Sequence, residues 1–77
     1  MESEYLNNLK KGQTGTIAEL PDGSRVRQKL KEMGLRQGMD ISVTQVMPMS
    51  GPVIIRAGQT QIAIGHSMAS RIKINFK

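Results

Sequence analysis

Cysteine is absent from this chain, which excludes disulfide bridges, thiolate zinc sites, iron–sulfur ligation and a thiol nucleophile together. Packing alone must hold the fold. Aromatic side chains are nearly absent too, with Tyr5 and Phe76 as the single tyrosine and phenylalanine and no tryptophan. The several stacking platforms on which single-stranded nucleic acids are usually held are therefore scarce. The longest aliphatic run, Val53-Ile54-Ile55, falls far short of the roughly 20 apolar residues that span a bilayer. The chain begins Met1-Glu2-Ser3-Glu4, acidic where a secretory leader is basic, with no apolar stretch behind it. These absences predict a cytosolic protein. With 77 residues, one domain over 1–77 is expected, with little room for a deep catalytic cleft.

What is plentiful is positive charge. Eleven Lys and Arg against six Asp and Glu leave a net charge of +5. Such a balance points to an anionic partner, whether nucleic acid, an anionic leaflet or an acidic protein surface. The scarcity of aromatics weakens the nucleic-acid reading, which stays as the alternative carried by charge.

Along the chain the signals change from strand to helix and back. Leu6 and Leu9, three apart before Gly12, suit a single turn that pins the N-terminal segment to the core. Residues 14–20 carry Thr14, Thr16 and Ile17 and predict a strand, with Gly15 marking a bulge or a close backbone approach. Over 24–33 the period becomes helical, since Val26, Leu30 and Met33 share one narrow arc. Asp22 or Ser24 is the expected N-cap, and Gly34 stands where a left-handed C-terminal residue is wanted, with Leu35 folding back on the last turn. Residues 39–46 alternate at Ile41 and Val43 and then slip to Val46, which predicts a bulge near Gln45. Turn residues 48–52 separate this strand from 53–57. Gly58-Gln59 then suits a type II′ hairpin into 60–64. Residues 65–70 fit one helical turn capped by Ser67. In 71–77, Ile72, Ile74 and Phe76 alternate with basic residues and predict a final strand on a guarded sheet edge. The fold class that follows is mainly β: a small SH3-like barrel of about five strands, with one inserted α-helix and a short helical turn before the last strand.

Read as one pattern, the chain runs Leu9-x-x-Gly12-x-x-Gly15-x-Ile17, then Leu30-x-x-Met33-Gly34-Leu35-x-x-Gly38, Gly51-Pro52-Val53, Ile62-Ala63-Ile64-Gly65 and Ala69-x-x-Ile72. This pattern resembles the FeoA family, small accessory proteins of bacterial ferrous iron uptake. The resemblance implies a non-enzymatic partner of the FeoB transporter, a membrane protein with a cytosolic GTP-binding domain. It also extends to the C-terminal SH3-like domains of metal-dependent repressors, so a metal-sensing domain is a further alternative. The residues themselves independently suggest a binding module, because no nucleophile–base pair, phosphate loop or paired carboxylate is legible.

Leu30, Met33, Gly34, Leu35 and Gly38 read as structural residues: a helix stripe, its cap and the turn into a strand. For partner binding the candidates are Arg27 and Lys31, like charges four apart without an acidic neighbour in the pattern. Met47, Met49 and Val53 join them from the loop that leads into the middle strand, since thioether side chains suit adaptable contacts. Metal is not expected. His66 is the single histidine, none of Asp40, Glu19 or Glu32 lies at a ligand spacing from it, and two methionines alone make a poor donor set. No catalytic residue and no cofactor is expected either.

Overall fold

Alternating β-branched and aliphatic residues give this chain strands, and its backbone topology curls them into one sheet around a single apolar core. The computed structural model describes residues 2–76. In chain order the elements are β1 (Glu2–Tyr5), a 3-10 turn (Leu6–Asn8), β2 (Thr14–Glu19), α1 (Ser24–Glu32), β3 (Asp40–Val46), β4 (Val53–Ala57), β5 (Thr60–Ile64), α2 (His66–Ala69) and β6 (Lys73–Phe76). All pairings are antiparallel, in the order β1-β6-β2-β3-β4-β5. Leu6, Ile17, Leu30, Leu35, Ile55 and Ile74 are among the side chains that fill the interior, and no described polar or charged residue is buried with them.

The helix explains why the run from Leu30 to Gly38 has its composition. Leu30 is buried, and Val26 and Met33 pack partly buried against the same core. At the C-terminal end Gly34 adopts φ +90°. Its N–H donates to the Lys31 carbonyl and the Leu35 N–H to the Leu30 carbonyl, both at 2.9 Å. These two bonds form a Schellman motif, which satisfies carbonyls the helix would otherwise leave free and folds the buried Leu35 back onto the core. Gly38, with φ +86°, sits third in a turn closed by the Met39 N–H on the Arg36 carbonyl at 3.2 Å. Its own N–H donates to the Ile17 carbonyl at 2.7 Å, and the Ile17 N–H donates to the Met39 carbonyl at 2.9 Å. The exit from α1 is thereby locked onto β2.

Gly15 is a close-approach site, since a Cβ there would lie 2.5 Å from both the Asn75 carbonyl oxygen and Ile74 Cγ2 on β6. The β3–β4 register shifts between Val43 and Gln45, where the apolar alternation slips. Gly58 (φ +64°) leads the two-residue loop between Ala57 and Thr60.

Several expectations are corrected. The sheet has six strands, because residues 2–5 form β1, whose exposed, acidic sequence carries no apolar alternation and which is held by backbone pairing to β6. The last strand is therefore interior to the sheet, between β1 and β2, and the edges are β1 and β5. It begins at Lys73, because the Ile72 N–H is taken by the Ala69 carbonyl at 3.3 Å. Neither Asp22 nor Ser24 caps α1. Gly23 is its N-cap and, lacking a side chain, offers the first helix amides no side-chain acceptor; its carbonyl accepts from the Arg27 N–H at 3.0 Å. Ser67 lies inside α2, with Gly65 before it, and its carbonyl accepts from Ser70 Oγ at 2.7 Å.

Candidate functional site

The sequence-named surface residues fall on two separate places. Arg27 and Lys31 lie on the exposed side of α1 and, with Gln28 and Glu32, border a shallow depression. Arg27 does have an acidic neighbour, contrary to the sequence reading. Its Nη2 lies 3.8 Å from Asp22 Oδ1, and its Nε donates to the Pro21 carbonyl at 3.2 Å. The guanidinium therefore ties α1 to the loop that precedes it. Such an exposed pair contributes little to stability. Lys31 has no acidic group within 4.0 Å among the described residues.

Met47 and Met49 belong to the β3–β4 hairpin tip. The Gly51 N–H donates to the Pro48 carbonyl and the Met47 N–H to the Pro52 carbonyl, each at 3.1 Å. Both central residues, Met49 and Ser50, have φ 59°, the left-handed pair of a type I′ turn. That turn matches the twist of the flanking strands, and it also throws Met49 outward to 98% exposure. Val46 and Met47 are exposed beside it. Val53 leaves the surface set. Its side chain is 1% exposed, because β4 presents Val53, Ile55 and Ala57 inward and Ile54 and Arg56 outward.

A groove on the outer sheet face, lined by polar side chains together with Ile41 and Phe76, was not singled out from sequence. Cross-strand register aligns Thr16 with Asp40 and Asn75, and sets Ser42 opposite both Thr14 and Arg56. Thr16 Oγ1 donates to Asp40 Oδ1 at 3.0 Å. Alternation places such residues outward, but only the pairing register gathers them. Asp40 and Arg56 are the charged residues in this lining, and no nucleophile–base arrangement lies among them. No group of three or more His, Asp or Glu converges as a metal site among the described residues.

Charge is distributed unevenly. Between Ile41 and Ser70 the sequence holds one charged residue, Arg56, and that span supplies β4, β5, α2 and nearly all of β3. The hairpin tip and β5 therefore carry no charged side chain of their own, which makes them the neutral side of the sheet, with Arg56 beside them on the outer face of β4. The basic residues Lys10, Lys11, Arg25, Arg27, Lys29, Lys31 and Arg36 belong to the earlier part of the chain.

Comparison with known proteins adds a family. A family model described as the FeoA domain matches residues 5–75. The crystal structure of an iron uptake regulatory protein (FeoA) is similar to this chain, with a TM-score of 0.85, 33% identity and 97% of each chain covered. Iron(II) transport protein A from Clostridium thermocellum superposes with a TM-score of 0.87 at 26% identity, covering 95% of this chain and 45% of that one. A manganese-dependent transcriptional repressor shares the fold, with a TM-score of 0.88 at 17% identity over 97% of this chain and 42% of its own. No curated protein matches the chain.

Proposed function

Because this chain belongs to the FeoA domain family, whose members serve ferrous iron transport, we propose that it is a non-catalytic cytosolic module that binds and modulates a FeoB-like transporter. The observation that carries this reading is the neutral side of the sheet, where Val46, Met47 and Met49 stand exposed on a hairpin held by a left-handed turn. Exposed, flexible apolar side chains on a rigid scaffold suit docking on another protein. The neighbourhood of these methionines contains no paired acid and base. No helix among the described residues is long and apolar enough to cross a membrane; on this reading the module meets the bilayer through its partner.

Titration of isotope-labelled protein with the full-length transporter in nanodiscs, with and without GTP, tests the reading. The methyl resonances of Met47 and Met49 are expected to shift and broaden. A spectrum unchanged at every residue, in both nucleotide states, would remove the proposal.

A further inference from the structure

The sheet's two edges are not alike. β1 carries Glu2 and Glu4, charges of the kind that discourage addition of another strand. β5 has the sequence Thr-Gln-Ile-Ala-Ile, with no charge and no proline, and it pairs with β4 without a slip. The two-residue loop makes Ala57 and Thr60 a pair that exchanges both backbone bonds, so Ile55/Ile62 and Val53/Ile64 do the same along the register. Gln61 and Ala63 consequently turn their N–H and C=O groups away from β4. No backbone or side-chain hydrogen bond among the described residues meets those groups. The Gln61 side chain reaches back across β4, where its Nε2 donates to Thr44 Oγ1 at 3.3 Å.

Resting on the docking function above, we propose that β5 accepts an extended segment of the transporter as an additional strand, with a large apolar residue opposite Ala63 and an acidic residue two positions away, opposite Gln61. The neighbours on β4 set this choice. Ala63 pairs with Ile54, which is only partly buried, so a large apolar side chain opposite Ala63 spreads over both. Gln61 pairs with Arg56, which has no acidic group within 4.0 Å among the described residues. A carboxylate opposite Gln61 comes within reach of that guanidinium. Backbone bonds would supply the register and alternate side chains the selectivity. A second copy of this chain fits less well: two-fold pairing centred on Ile62 sets Gln61 against Ala63, offers Arg56 no carboxylate and joins two bodies of net charge +5.

Amide hydrogen exchange resolved at Gln61 and Ala63, measured with and without the full-length transporter in nanodiscs, tests the proposal. Both amides should slow at least tenfold in the complex. Ala63→Pro removes an outward N–H and leaves the β4 ladder intact, so it should weaken binding about tenfold or more while the remaining amide spectrum is retained. Arg56→Gln should weaken it severalfold. Should Ala63→Pro fail to fold, the wild-type exchange data decide. Transporter binding with Gln61 and Ala63 exchanging as in the free chain overturns the edge proposal and leaves the docking function standing. Absence of any wild-type binding overturns both. Slowing that appears without transporter and grows with chain concentration identifies self-pairing and overturns the proposal.

Discussion

At Gly15 the sheet has no room for a methyl group, while at Gly34 space is ample and the backbone angle is the constraint. A Cβ at Gly15 would press into the Asn75 backbone and Ile74, whereas none at Gly34 would meet anything within 4 Å. Gly15→Ala should therefore cost about 1–3 kcal/mol through overpacking. Gly34→Ala should cost about 1–2 kcal/mol through the left-handed conformation. Asparagine separates the causes: Gly34→Asn recovers part of the loss, because asparagine tolerates that region, and Gly15→Asn deepens it. Urea unfolding midpoints of the four variants check both halves. Glu4 adds a pH term. Its carboxylate accepts from the Asn8 side-chain amide at 3.1 Å and the Tyr5 N–H at 2.9 Å, and these bonds hold its pKa below the usual glutamate value. A depressed folded-state pKa gives stability that is complete above the unfolded-state pKa and lost as pH falls through the folded-state one. Glu4→Gln is expected to flatten the acid limb of stability against pH, and an unaltered limb would count against this.

At the scale of elements, the β3–β4 hairpin and α1 carry opposite kinds of cost. The hairpin places Met49 and Ser50 at φ 59°, where non-glycine residues lose about 1–2 kcal/mol each. Ser50→Gly should recover about 1 kcal/mol, raising the Tm of so small a domain by about 4–8 °C. Met49→Ala, at a side chain 98% exposed, should leave Tm unchanged and weaken transporter binding. Calorimetry and titration of this pair separate fold from docking. In α1 the cost of change lies inward. Leu30→Ala removes a fully buried side chain and should destabilise by about 2–5 kcal/mol, and a smaller loss in denaturant unfolding would mean that α1 settles into the space.

For the whole molecule, the net charge of +5 invites a nucleic-acid reading that charge placement and the two aromatic residues do not favour. Contacts made by phosphate neutralisation alone lose orders of magnitude in affinity between about 50 and 200 mM salt. Any retention of this chain on RNA or DNA should follow that decline and vanish near physiological salt. Specific binding that survives there would reverse the assignment of the neutral side as the working face. Transporter docking on that side should weaken far less over the same salt range, which the same titration measures.

Much of this protein was legible in its residues. The helical arc of Val26, Leu30 and Met33, the break of alternation near Gln45 and the glycine-led loop at Gly58 are local patterns, and local backbone preference acts before any distant contact forms. The FeoA-like spacing rests on the same turns and stripes. What needed the tertiary structure was everything decided by a neighbour far along the chain. β1 has no apolar stripe and exists because β6 offers it a ladder. Consecutive apolar residues at Val53-Ile54-Ile55 hide which of them faces inward until β3 and β5 pair on either side. Asp22 was free to cap α1 or to meet Arg27, and only the packed loop chose the pair. Which strand ends the sheet is likewise a property of pairing order, because an edge is defined by the partner a strand lacks, and no stretch of sequence contains that information by itself.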